Sequence, residues 1–104
     1  MTTRIDKLKR MLDAEPNDTF CLYGLAQEHI KAGDDAAAIE LFDRLLHIEP
    51  AHCYAYFHRA RSQQRLGDAA GARATLKAGL ARARAHGDPK AAGEIEGFLN
   101  ELES

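Results

Sequence analysis

Four side chains with metal-ligand chemistry crowd one stretch of this chain of 104 residues: His47, His52, Cys53 and His58. Imidazole and thiolate are common zinc ligands, but a site needs three or four of them in a fixed geometry. No two of these histidines stand four residues apart and no CxxC is present, so no helix face offers a ready pair. His52 and Cys53 are adjacent and point apart on a helix. The spacing predicts no metal centre and no cofactor. Nucleophiles are as scarce. Ser62 and Ser104 are the only serines, no glycine-rich loop leads into a helix as a phosphate cradle, and no carboxylate pair stands out from the surface set. The expectation is that the chain is not an enzyme. Arg59, Arg61, Arg65, Arg73, Lys77, Arg82 and Arg84 could meet a phosphate backbone, but the net charge of −2 and their spread around the helices weigh against nucleic acid.

Composition points to a packed helical protein. The 45% of hydrophobic residues exclude wholesale disorder, and the set is mostly Ala and Leu with no Val or Trp, which favours helix over strand. The charged start MTTRIDKLKR is unlike an export signal, and no apolar run reaches membrane-spanning length. With Cys21 and Cys53 lacking any disulfide framework, the chain reads as a cytoplasmic protein with reduced thiols and no membrane partner. Charge is segregated. Residues 1–12 carry four basic and one acidic residue, 13–49 nine acidic and two basic, and 59–90 eight basic and two acidic. Such blocks are ordinary for a solvated surface, yet they also allow weak head-to-tail self-association.

The elements that must position these residues are helices. Ile5, Leu8, Met11 and Leu12 form an amphipathic stripe that stops before Pro16. Asp18 is a candidate N-cap for a second helix of about Thr19 to Ala32. Gly33-Asp34 ends it, and a third helix runs from about Asp35 to Ile48 with Ile39, Phe42, Leu45 and Leu46 on one side. The pattern then repeats: a helix over 53–66, a Gly67-Asp68 turn, a helix over 69–86, and a boundary at Gly87-Asp88-Pro89. The last helix, 89–103, aligns Ala91, Ile95, Phe98, Leu99 and Leu102, and its Gly93 and Gly97 suggest close approach to a neighbour. The reading is all-α, about six helices in antiparallel hairpins.

Pro16/Pro50, Ala26/Ala60, Gly33/Gly67, Asp34/Asp68, Ala36/Ala70, Ala38/Ala72 and Leu46/Leu80 each recur thirty-four residues apart. A helix–turn–helix unit of this length, with small residues at the helix crossings and a closing proline, resembles the tetratricopeptide repeat. Residues 17–50 match through Leu25-Ala26, Gly33-Asp34, Ala38, Phe42 and Pro50, with Leu22 and His29 where that family has aromatics. Residues 51–84 match through Tyr56, Ala60, Gly67-Asp68, Ala72, Leu76 and Gly79, while Arg59, Gln63 and Arg84 replace its Leu, Tyr and Pro. The resemblance implies one domain over 1–104: a half-repeat helix at 2–14, repeats at 17–50 and 51–84, and a capping helix at 89–103.

The resemblance also implies a function. First helices of successive repeats in that family line a concave groove that takes a peptide or helix from a partner. Here that groove comprises Phe20, Tyr23, Gln27 and Ile30 from one repeat and Tyr54, Phe57, Arg61 and Gln64 from the next. Phe20 with Tyr54, and Tyr23 with Phe57, are expected to neighbour each other as two rows. Aromatics beside Arg and Gln suit apolar anchors on a partner. Arg61 is the only cation among these positions, so the basic clamp that some members use for chaperone C-termini is largely missing.

Overall fold

The computed structural model describes residues 2–103; Met1 and Ser104 lie outside them. Six helices follow in order: α1 (Arg4–Ala14), α2 (Thr19–Lys31), α3 (Asp35–Ile48), α4 (Cys53–Arg65), α5 (Ala69–Ala85) and α6 (Pro89–Glu103). Among the described residues there is no strand. The helices expected from the turn signals are all present, their ends within two residues.

Short polar side chains start nearly all of them. Thr3 accepts from the Asp6 N–H while Asp6 accepts from the Thr3 N–H, a reciprocal capping box on α1. Asp18, Asp34, Asp68 and Asp88 accept from the N–H groups of Cys21, Ala37, Gly71 and Ala91. The exception is α4, whose cap is an imidazole: His52 Nδ1 accepts from the Ala55 N–H at 3.2 Å. Gly33 and Gly67 sit at φ 83° and 84°, which lets the next residue's N–H reach back to His29 and Gln63 carbonyls. Asp34 and Asp68 therefore close one helix and open the next.

Neighbouring helices pack in sequence, α1 on α2, α2 on α3 and so on to α6, and α4 also touches α6. One core gathers Leu22, Leu25, Phe42 and Leu45 under Leu8 and Leu12 of α1. The other gathers Leu76 and Leu80 with Ile95, Phe98 and Leu99 of α6. Ala26, Ala38, Ala60 and Ala72 are fully buried, as small residues at helix crossings must be. Gly79 makes the same point more sharply, since a β-carbon there would stand 2.6 Å from Tyr56 Cβ.

Polar links cross these interfaces as well. Arg59 Nη1 donates to Thr75 Oγ1 at 2.6 Å, and the Thr75 hydroxyl donates to Gln63 Oε1 at 2.7 Å. Arg59 Nε reaches Asp43 Oδ1 at 2.7 Å, so one guanidinium joins α3, α4 and α5. Arg59 and Gln63, the departures from an apolar pattern, are thus partners of each other through Thr75. Arg44 Nη2 donates to the Pro16 carbonyl at 3.1 Å and the Tyr56 hydroxyl to the Pro50 carbonyl at 2.8 Å, which pins the two corners between hairpins.

The close approach expected at Gly93 and Gly97 is not found. Both are exposed, and a β-carbon added at either meets no atom within 4 Å. The inward face of α6 is instead Ala91, Ile95, Phe98 and Leu99, on the opposite side of the helix. The glycines therefore weaken α6 without a packing return. Gly93→Ala and Gly97→Ala are each expected to raise stability by about 1 kcal/mol, seen as a higher urea midpoint at unchanged slope.

Candidate functional site

A chain of rings runs from α2 through α4 to α6. The Tyr23 ring stacks on His52 at 5.1 Å and meets the edge of His58 at 5.9 Å. His58 in turn contacts Phe42 at 6.4 Å and Phe57 at 5.5 Å, and Phe57 packs on Phe98 at 5.3 Å. The Arg61 guanidinium lies over both Phe57 and Phe98, 5.3 and 4.9 Å from their centroids. The expected pairing of Tyr23 with Phe57 is thus mediated by His58, and Phe20 makes no ring contact with Tyr54 among the described residues. Burial raises the Tyr23 phenol pKa, partly countered by Gln27 beside it. Desolvation, and then the Glu94 carboxylate of α6, raise that of Tyr54. Burial, followed by Arg61, Arg65 and His52, lowers that of His58.

The eight expected groove residues divide by exposure. Phe20 is 80% exposed, and Arg61 and Gln64 also face solvent. Tyr23, Gln27, Ile30, Tyr54 and Phe57 are half-buried, Ile30 against the first core and Phe57 beneath Phe98 and Arg61. A cleft of about 230 Å³ opens between α1 and α2, lined by Arg4, Leu8, Phe20, Tyr23, Gln27 and Lys31 among others. On its rim Glu28 pairs with Arg4 at 3.1 Å and Lys31 at 3.2 Å. Gln27 Nε2 is buried there without an acceptor. The open part of the face is therefore the α1–α2 end, while on α4 the last helix covers Phe57 and leaves Arg61 and Gln64 exposed.

Phe42, His52, His58 and Phe98 join the ring chain from outside the eight expected groove residues. Phe98 stands thirty-four residues after Gln64, and His52 thirty-four after the capping Asp18, so the repeat period carried a signal for both. The histidine and cysteine group near Pro50 does not converge. His52 caps α4, His58 lies among rings, the Cys53 thiol donates to the Ala51 carbonyl at 3.4 Å, and His47 faces solvent. The described residues hold no group of three or more His, Cys, Asp or Glu placed to share a metal ion. None of their helices is long and apolar enough to cross a membrane.

The tetratricopeptide repeat family pattern matches residues 54–78. A tetratricopeptide repeat-containing protein of Pseudomonas aeruginosa is 32% identical over 99 residues, covering 95% of this chain and 94% of its own. This chain belongs to the tetratricopeptide repeat family. The solution structure of a tetratricopeptide repeat domain protein from Salinibacter ruber superposes with a TM-score of 0.80 at 31% identity, over 86% of this chain and 90% of that one. PcrH, solved in complex with the chaperone binding region of PopD, superposes at 0.88 with 18% identity, over 95% and 75% of the two chains. At that identity the likeness speaks for the repeat fold alone. Tetratricopeptide repeats are interaction modules.

Proposed function

We propose that this tetratricopeptide repeat protein is a non-enzymatic cytoplasmic module that holds a segment of a partner protein on the α2–α4 face. The observation that carries the reading is Phe20, a large apolar ring left 80% exposed at the mouth of a cleft whose wall is Tyr23. Such a ring, beside a half-buried phenol and a rim of paired charges, is suited to an apolar anchor from a peptide or helix. Gln27, half-buried on the same face, stands beside the Tyr23 phenol and supports it from within. Arg61 and Gln64, both exposed on α4, would fix its orientation, with Tyr54 at the start of the same helix. Phe57 acts from below, as support. The PcrH complex adds support by fold: there a region of a partner protein is bound by a similar stack. The half-repeat, two repeats and cap act as one domain in this reading.

The test is affinity capture from native lysate with wild type beside Phe20→Ala. Phe20 touches little of its own chain, so the variant should melt with the wild type while binding its partner about tenfold more weakly. Capture of the same proteins at the same strength by both would move binding away from this face.

A further inference from the structure

The two end helices expose the faces that the inner helices bury. Arg4, Lys7 and Met11 of α1 stand thirty-four residues before Ala38, Leu41 and Leu45 of α3, and sixty-eight before Ala72, Thr75 and Gly79 of α5. All six of those later residues are buried. On α5 the covering helix is α4: Thr75 is hydrogen-bonded to Arg59 and Gln63, and Gly79 closes on Tyr56. On α1 the matching face is open, with Met11 50% exposed and the Arg4 side chain 67% exposed despite its pair with Glu28.

The other end shows the counterpart. Counted from the capping residues Asp18, His52 and Asp88, Ala92 and Glu96 of α6 correspond to Leu22 and Ala26 of α2 and to Tyr56 and Ala60 of α4. Ala26 and Ala60 are fully buried, and Tyr56 meets Gly79 of the helix that follows it. On α6 that side is an open groove of about 430 Å³ shared with α5, lined by Ala83, Arg84, Pro89, Ala92, Gly93 and Glu96 among others. Charge separates the two ends. Helix α1 carries Arg4, Lys7, Lys9 and Arg10 against Asp6 and Asp13, whereas α6 carries Glu94, Glu96, Glu101 and Glu103 against Lys90. Copies meeting α1 to α1, or α6 to α6, bring like charges together, and α1 to α6 brings opposite ones.

We propose that α6 of one copy takes α1 of a second copy as its second helix, so that two half-repeats make one repeat between molecules. Met11 then fills the place of Gly79 and falls on Ala92, which fills the place of Tyr56: a large residue on a small one, where the repeat within the chain has the reverse. Arg4 and Lys7 come to the side of α6 that carries Glu96 and Glu103, two half-exposed carboxylates that pair with Arg84 and Lys77 of α5. The contact is head to tail and leaves a free end of each kind, so copies add in a row. Exposed ion pairs contribute little each, so the association is weak and answers to concentration and salt. Arg4 also lines the cleft beside Phe20, so a seated copy borders that cleft, yet the contact does not rest on the binding reading above.

The experiment is sedimentation equilibrium of the whole chain from about 10 μM to about 1 mM, the span in which weak contacts become populated. The average mass of the wild type is expected to rise with concentration without levelling off at two copies in about 0.05 M salt, and to rise less in about 0.5 M. Met11→Glu spoils the α1 end and Ala92→Gln the α6 end, and each variant alone should melt with the wild type and keep the monomer mass. Their equimolar mixture should rise toward twice that mass and level off there, because one intact α6 meets one intact α1. An α1–α1 or α6–α6 pairing would instead leave one of the two variants associating by itself. The proposal is overturned if the wild type stays monomeric over the whole range, if its mass levels off at two, if either folded variant still associates alone, or if the mixture stays monomeric or grows past two. Should Ala92→Gln not fold, Gly93→Gln takes its place, since that glycine lines the same groove and an added β-carbon meets no atom within 4 Å. No partner protein enters these readouts, so a face that binds nothing and ends that do not join are separable failures.

Discussion

Replacing Phe42 by alanine should destabilise the protein by about 3–5 kcal/mol, the range for emptying a fully buried aromatic site. Phe42 is 0% exposed and heads the residues of largest volume in the interior. It projects from α3 to the edge of Tyr23 on α2 at 6.2 Å and to the face of His58 on α4 at 6.4 Å. Three helices thus lose their common contact at once, and the rigid crossings at Ala26 and Ala38 leave little room for collapse. A domain of this size is stable by only about 5–15 kcal/mol, so the variant should lie close to unfolding at room temperature. Phe42→Leu, which leaves a smaller void, should cost about 1 kcal/mol. Urea midpoints of the three proteins check the order. A loss below about 1 kcal/mol for the alanine variant would mean that the α2–α3 hairpin is held elsewhere.

Local chemistry made the helix ends legible. Gly33 and Gly67 need the left-handed backbone, and Asp34 and Asp68 need free N–H groups, so each Gly-Asp pair marks a stop and a start without reference to the rest of the fold. The inward stripe of α6 was equally plain, since Ala91, Ile95, Phe98 and Leu99 share a face by spacing alone. Gly93 and Gly97 misled because small residues four apart read alike whether they meet a helix or solvent; here they lie opposite the stripe. At the candidate site, the thirty-four-residue period placed Phe20 and Tyr23 on α2 and Tyr54 and Phe57 on α4. It said nothing of how far α6 reaches across α4, which decides that Phe57 is covered. Ring contacts such as Tyr23–His58 depend on the angle at which helices cross, and no spacing along one chain encodes that angle.

The second large effect is expected at Asp35. This carboxylate is 9% exposed, and its Oδ1 accepts from Ser62 Oγ at 2.8 Å and from Arg65 Nε at 3.0 Å, tying the first turn of α3 to α4. Asp35→Ala removes the acceptor of the fully buried Ser62 hydroxyl, whose oxygen keeps only the Arg65 Nη2 donor at 3.3 Å, while the rest of Arg65, 39% exposed, is free to rehydrate. The hydroxyl then carries most of the loss, about 2–3 kcal/mol in all, and the ion pair is discounted for its exposure. Arg65 pulls the Asp35 pKa below 3.8, burial pushes it back and Ser62 lowers it again, with the net direction down. A folded-state pKa under the unfolded one means that unfolding takes up a proton in that window. The charged contribution is therefore full above the unfolded 3.8 and is lost as the pH falls through the lower folded value. Asp35→Asn keeps an acceptor for Ser62 and removes only the charge, so it should cost less than alanine at neutral pH. Its stability gap to the wild type should close as the pH drops below 3.8, measured as paired melting curves along a pH series. A gap that persists in acid would assign the loss to packing at the α3–α4 crossing, and the carboxylate would then be a spacer whose charge does not matter.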